Sequence, residues 1–532
     1  MKKVLYHNGN IITMVEGEKN PEALLVDNGR IKSVGKYADL KCGCEEYDLK
    51  GKTLLPGFID GHSHLSMARL MPIIYAPPLG DVDSIDKLIV EMKEILDNRQ
   101  IKKGKWLLVS GYDNRYFEGD RHPSRYDLDK VSKDIPIVLI HVCGHIGVLN
   151  SKAIEVAGIN KDTITPKGGV IERDENTNEP LGRFEETAFF EVIKNKGVIP
   201  PVASIIKSIE EAMMEYASYG YTTIQDGQLR EDVAKLYKLM GILGKLKLDV
   251  IGYPEAENGE SVSFENIKYK RHFRYGGVKL FLDGSPQGKT AWFTKPYKEP
   301  PKGEKEDYCG YPKYDDGTVE NILERCVKKN WQVLTHANGD AAMDQLINAY
   351  TKVIEKTENK MDLRPVMIHA QTIREDQLDR LKEIGMMPSF FHDHVYFWGD
   401  YHLYSVLGEE RGRRISPLTS AVKREIPFTI HHDTPVTPPN AIFALHNAVN
   451  RRTQSGKEIG PEYAVDIFTA LKSLTVWGAY QYHEEEIKGT LTEGKYADMI
   501  VLDKNPMEVN KDSIKDIKVV ETIKEGQTVY KL

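Results

Sequence analysis

The chain is poor in cysteine, in long apolar runs and in excess positive charge. Its five cysteines (Cys42, Cys44, Cys143, Cys309 and Cys326) are an odd, scattered set among 532 residues, which excludes a disulfide framework. Cys42-Gly43-Cys44 has no second Cys or His pair nearby to complete a metal site, so it reads as two thiols in a loop. No segment approaches the roughly 18 apolar residues of a membrane span, and the N-terminus turns polar too early for a signal peptide, so a cytoplasmic location is expected. A net charge of -7, with no basic stretch or amphipathic anchor, argues against nucleic-acid and membrane partners. The expected partner is a small-molecule substrate, and a homodimer is the base-rate assembly.

What is present is a long, globular composition. At 532 residues the chain exceeds one ordinary core, so two or three folded units are expected, one of them a barrel of about 200 residues or more. The first 52 residues alternate apolar and polar in short segments (4–6, 10–14, 23–26, 30–34) punctuated by turn residues such as Asp27-Asn28-Gly29, a hairpin pattern. Similar segments recur at 497–503, 517–523 and 528–530. The expectation is one small β-sandwich built from both termini, residues 1–52 plus 484–532.

Between them lie eight strand-like segments, five of them ending in Asp or His and most followed by helical periodicity: 53–60, 221–226, 248–252, 277–282, 332–336, 365–369, 387–391 and 427–433. That alternation defines an α/β fold of the TIM-type (β/α)8 class. The barrel is expected over residues 53–70 plus 200–483. Residues 71–199 hold a helix, two strong strands and a hairpin pattern, too much chain for a loop. They are expected to form an inserted α+β domain over the barrel mouth.

The chemistry-bearing residues sit at strand tips. His62 and His64 leave an apolar run at i and i+2, on one face, where both can grip one metal ion. Alone, a His-x-His pair is a weak signal. However, His336, His369 and Asp433 end three further strands and Lys279 lies within another. Six metal-competent residues on one barrel rim are not called for by packing.

The chain is identified by these segments as similar to the amidohydrolase superfamily of metal-dependent hydrolases, and within it the YtcJ-like group (amidohydrolase 3 type). The resemblance rests on Pro56-Gly57-Phe58-Ile59-Asp60-Gly61-His62-Ser63-His64, Val278-Lys279-Leu280-Phe281-Leu282-Asp283-Gly284-Ser285, His336-Ala337-Asn338-Gly339-Asp340, His369-Ala370-Gln371 and Asp433-Thr434-Pro435-Val436. Residues 489–498 resemble the family's turn into its C-terminal β-sandwich. The resemblance implies two divalent cations, with zinc the expected metal. His62 and His64 would hold the more buried ion, His336 and His369 the more exposed one, and a carboxylated Lys279 would bridge them. Asp433 would complete the buried site and shuttle protons. A one-metal site without the carbamate is the alternative.

The implied reaction is hydrolysis of a carbon–nitrogen bond other than a peptide bond, in an N-substituted amide, formamide or cyclic amide, by a metal-bound hydroxide. Deamination of an amino-substituted heterocycle, or a non-catalytic regulator retaining the barrel, are the alternatives. His145 and Asn150, in a segment the group carries in its inserted domain, are candidate substrate contacts. So are His392 and His394, a second His-x-His pair after 387–391, read as polar contacts at the pocket wall. Glu186, Asp113 and Arg451 are noted without a derived role.

Overall fold

The computed structural model describes residues 3–77, 79–99, 101, 104–195, 202–257, 268–301 and 303–532. The chain has a mixed α/β fold that divides into two compact units, Met1–Ser66 with Ile206–Pro286 and Ala291–Leu532, and Met67–Ile205 with Gln287–Thr290. The domain boundary expected at residues 199 and 200 lies outside the described residues. Among the described residues, no helix is long and apolar enough to cross a membrane.

The first unit is organised around two runs of parallel strands. One contains β1 (Phe58–Ile59), β2 (Tyr221–Asp226), β3 (Asp249–Gly252) and β4 (Phe273–Tyr275), in spatial order β4-β3-β2-β1. The other contains β5 (Gly277–Phe281), β6 (Gln332–Ala337), β7 (Val366–His369), β8 (Met387–Phe390) and β9 (Thr429–Ile430), in sequential order. Almost every residue of these strands is buried, which is why their sequences are near-continuous apolar runs rather than alternating ones. The runs meet where β4 and β5 continue across Gly276. The Gly276 amide donates to the Gly252 carbonyl at 3.1 Å, and Glu255 bridges Lys279 in parallel fashion.

Helices follow or precede the strands. Asp316–Lys328 leads into β6, Asp340–Thr357 follows it, and Glu375–Glu383 follows β7. Asp315 starts the first of these by accepting the Thr318 amide at 2.9 Å, an N-cap that satisfies an orphan donor. In Asp340–Thr357, Ala342, Leu346, Tyr350 and Val353 fall on one buried stripe at helical spacing.

The segment read from sequence as one strand over 53–60 is divided between two sheets. Thr53–Pro56 pairs antiparallel with Met499–Leu502 and parallel with Asn10–Ile11, whereas Phe58–Ile59 pairs parallel with β2. Gly57 is the switch, because a Cβ there would meet the Thr222 side chain at 2.3 Å. Thr53–Pro56 thus lies in a five-stranded sheet that joins the two ends of the chain. A second sheet, ordered Arg30–Gly35, Ala23–Asp27, Val4–His7, Glu45–Asp48, shares its core through Leu24, Val26, Leu54, Met499, Val501 and Ile523.

The second unit is α+β. Its five-stranded sheet runs Gly169–Arg173, Pro180–Glu185, Ile146–Leu149, Ile137–His141, Leu107–Tyr112, with only the last pair parallel. One cluster around Leu88, Met92, Val109 and Leu139 and another around Val138, Leu149, Phe184 and Phe189 form its cores.

Candidate metal centre

His62 follows β1 in a backbone arranged by Asp60. The Asp60 carboxylate accepts the amides of His62 (3.1 Å) and Gln225 (3.2 Å) and the Ser63 hydroxyl. Burial raises this carboxyl to about 7. The imidazole of His62 has one defined tautomer. Gln225 donates its amide nitrogen to the Gly61 carbonyl at 3.0 Å, so its oxygen faces His62 Nδ1 at 2.5 Å and that nitrogen carries the proton. Nε2 therefore presents its lone pair, facing Lys279 Nζ at 2.7 Å and Asp433 Oδ1 at 3.5 Å. Burial, helped by the Lys279 cation, holds His62 well below the ordinary histidine range, which keeps it neutral and competent as a ligand.

His64 donates its amide to Thr434 at 2.9 Å, and its Nε2 lies 3.3 Å from Asp433 Oδ1. Asp433, just beyond β9, has a left-handed backbone (φ 53°) that is uncommon for a residue with a side chain. One oxygen of its carboxylate faces both histidines, and the other lies 4.0 Å from His369 Nε2. The metal-ligating atoms of His62, His64 and Asp433 all lie within 4.8 Å of one another.

Lys279, in the middle of β5, is 1% exposed, and burial lowers its ammonium to about 7. His369 ends β7 with φ 73°, followed by Ala370 at φ 46°. Two consecutive left-handed residues store local strain at a strand tip. The His369 ring centroid lies 4.5 Å from that of His336 on β6 and 5.7 Å from that of His62. All six residues expected as ligands are thus brought together.

The donor set fits a cation. Asp433 Oδ1 is buried without a hydrogen-bond donor, with Nε2 of His62 at 3.5 Å and Nε2 of His64 at 3.3 Å. A buried carboxylate oxygen without a donor is unfavourable unless a positive charge lies against it.

Two residues of this cluster escaped the sequence reading. His431 Nε2 lies 3.2 Å from His369 Nδ1, and its own Nδ1 lies 2.8 Å from Ser389 Oγ, so it orients His369. Gln225 orients His62, as above. His431 stands one residue past β9, in the run Ile430-His431-His432-Asp433, and nothing in that run marks its partner.

The expected substrate contacts are distributed differently. Asn150 is committed to structure. Its oxygen accepts the amides of Ile137 (2.9 Å) and Ala153 (2.8 Å), and its nitrogen donates to the carbonyls of Ser132 (2.8 Å) and Ile135 (2.9 Å). All four hydrogen-bonding positions are used, which corrects its reading as a substrate contact. His145, in the second unit, pairs through Nδ1 with Glu186 at 3.0 Å, and Glu186 has a left-handed backbone (φ 48°). His392 is tied by Nε2 to the Asn447 carbonyl at 3.1 Å, holding helix Ala441–Asn450. Its role is thus structural on that side of the ring, and burial lowers it to about 3. His394 stacks on His402 with their rings 8° from parallel and packs against Phe391, which lies 6.0 Å from His369. Asp113 binds Arg115, and Arg451 donates to the carbonyls of Ile459, Ser416 and Ile415.

Known proteins are similar to the chain over nearly its whole length. Putative amidohydrolase YtcJ of Bacillus subtilis (strain 168) is 27% identical, with 99% of each chain aligned. The N-substituted formamide deformylase of Arthrobacter pascens is 25% identical over 100% of this chain and 98% of the relative. The crystal structure of an uncharacterized metal-dependent hydrolase from Pyrococcus furiosus superposes with a TM-score of 0.72 at 27% identity, covering 95% of this chain and 100% of that one. Residues 45–530 match the sequence pattern of the amidohydrolase family, and the chain belongs to that family.

Proposed function

We propose that the protein is a metal-dependent hydrolase of a carbon–nitrogen bond outside peptides, acting on an N-substituted formamide or a related amide. The observation that carries this reading is the buried Asp433 oxygen, without a hydrogen-bond donor, beside Nε2 of His62 and of His64. It is supported by family membership, by the full-length similarity to a formamide deformylase, and by the metal-dependent hydrolase that shares the fold.

In this reading His62, His64 and Asp433 would hold one divalent ion, zinc being the expected metal, and His336 and His369 a second. Lys279, beside the first site, would serve as a ligand once carboxylated by carbon dioxide, since an ammonium has no lone pair for a metal. When bound, such ions polarise a carbonyl oxygen and acidify water. The remaining work belongs to the chain. Asp433 takes the proton of the attacking water on a carboxylate oxygen and returns it to the leaving nitrogen. Gln225 fixes the tautomer of His62, His431 orients His369, and burial excludes bulk water from all of them.

The two parallel runs are read as one (β/α)8 barrel, with the terminal sheets as a composite β-sandwich and residues 71–199 as an inserted domain. Closure is supported by the approach of the two outer strands. A Cβ at Gly61, just after β1, would meet Thr429 Oγ1 of β9 at 2.6 Å. The test of function is formate release from a panel of N-alkyl and N-aryl formamides, before and after metal removal. Formate released only by metal-loaded protein supports the reading; no turnover of any formamide or amide by metal-loaded protein overturns it.

A further inference from the structure

The sequence reading of no basic stretch is corrected by Lys268-Tyr269-Lys270-Arg271-His272-Phe273-Arg274, four cations in seven residues with no acid, in a chain of net charge -7. The run folds back on itself at 270–273. The Lys270 amide donates to Phe273 at 2.9 Å, and both central residues are left-handed, Arg271 at φ 57° and His272 at φ 69°. This is the dihedral pattern of a hairpin turn that normally takes Asn-Gly, so two residues with side chains adopt it against their preference.

Three contacts hold the strained turn. His272 Nδ1 bonds Asp249 at 2.8 Å, and Arg271 donates to the Ile242 carbonyl at 3.4 Å. Gly241 lets helix Glu231–Ile242 approach, since a Cβ there would meet the Arg271 carbonyl at 2.7 Å. Further anchors face inward. Tyr269 accepts from Lys488 at 3.2 Å, and Arg274 donates to Glu484 at 2.9 Å. Alternation about Tyr269 then turns Lys268 and Lys270 outward.

The result is a cavity of about 190 Å³ lined, among the described residues, by Lys238, Lys268, Lys270, Phe273, Arg274 and Tyr275, none of them a carboxylate. The Arg274 charge is met by Glu484, and Glu231, on the Lys238 helix, is taken by Lys235 at 2.8 Å. Lys238 lies over the Tyr275 ring at 5.1 Å, and none of the three lysines has an ion-pair partner among the described residues. Like charges converging on a cavity repel one another unless an anion joins them.

We propose that this cavity binds a phosphate-class oligoanion of the size of pyrophosphate, held by Lys238, Lys268 and Lys270. Lysines suit such a ligand as point charges around a compact polyanion. The site lies at the start of the β4–β5 stretch whose far part carries Lys279, four residues or roughly 13 Å from Tyr275. It is separate from the metal centre.

The test is calorimetric titration of the full chain with pyrophosphate and with ADP at low salt, beside the Lys238→Gln/Lys270→Gln double variant, whose melting temperature checks its fold. The expected result is saturable binding that weakens at least about tenfold in the double variant and falls with added salt. Comparable affinity for the two ligands identifies the free phosphate group as the determinant, and markedly tighter ADP binding identifies a nucleotide. Binding unchanged in the double variant places the anion elsewhere, the metal centre included, and overturns the proposal, as does the absence of saturation by either ligand.

Discussion

At the scale of single residues, the candidate metal centre rests on individual side chains, and Asp433 is both a candidate ligand and the proton acceptor. Asp433→Asn keeps the shape of the side chain but removes the proton acceptor. Its kcat should fall by about 10²–10⁴-fold while most of the metal stays bound; full turnover in the variant would remove Asp433 from the proton path. Asn150 makes the opposite case. Asn150→Ala leaves the Ile137 and Ala153 amides without their acceptor and should cost about 2–4 kcal/mol of stability, read as a lower melting temperature, with KM unchanged. A raised KM at undiminished stability would return Asn150 to the substrate. The six residues of the cluster could be picked out from the sequence because strand tips give a local direction and metal chemistry admits few residue types. It did not reveal His431 or Gln225. Each acts on a histidine far away in the chain, 62 positions for His431 and 163 for Gln225, and no local pattern records such a contact.

At the scale of elements, close approach decides what each strand can carry. Gly227, one residue past β2, has its amide on the Ser63 carbonyl at 2.8 Å, and a Cβ there would meet His62 Cε1 at 2.3 Å. Gly227→Ala should therefore displace His62 and lower metal occupancy in a folded protein; an unchanged metal content would show that the ring is not confined there. A second junction joins β3 to the C-terminal strands. Asp249 accepts both Lys488 and Lys524 at 2.7 Å, and Lys524 also binds Asp498 at 2.8 Å. Burial alone would raise the Asp249 carboxyl, but the two ammoniums hold it well below its ordinary 3.8. A depressed carboxylate stabilises the fold above its unfolded pKa and ceases to do so as pH falls through its folded value. The melting temperature should thus drop as pH falls below about 4. Asp249→Asn should flatten that acid limb and cost about 1–3 kcal/mol at neutral pH, since it removes the carboxylate shared by two buried ammoniums and leaves Lys488 to Glu484 and Lys524 to Asp498. A variant as stable as the parent would contradict the junction. The parallel strands were legible as apolar runs, most of them ending in Asp or His. The division at Gly57 was not, because Leu54-Leu55-Pro56-Gly57-Phe58-Ile59 is apolar throughout and the partners that part it are residues 10–11, 499–502 and 221–226.

At the scale of the whole molecule, distant parts of the chain supply one centre. His62 and Asp433 lie 371 positions apart, yet their side chains approach to 3.5 Å. Assembly of the centre therefore requires the parallel strands of the first unit to be in register, and metal binding should raise the melting temperature in proportion to the logarithm of free metal. The most direct test is metal content per chain by plasma mass spectrometry, on protein purified without chelator and on Lys279→Ala beside it. The account predicts close to two divalent ions in the parent and a sharp fall in the variant. A well-folded parent that holds no ion and resists reconstitution, or one whose single ion is indifferent to Lys279, would contradict it.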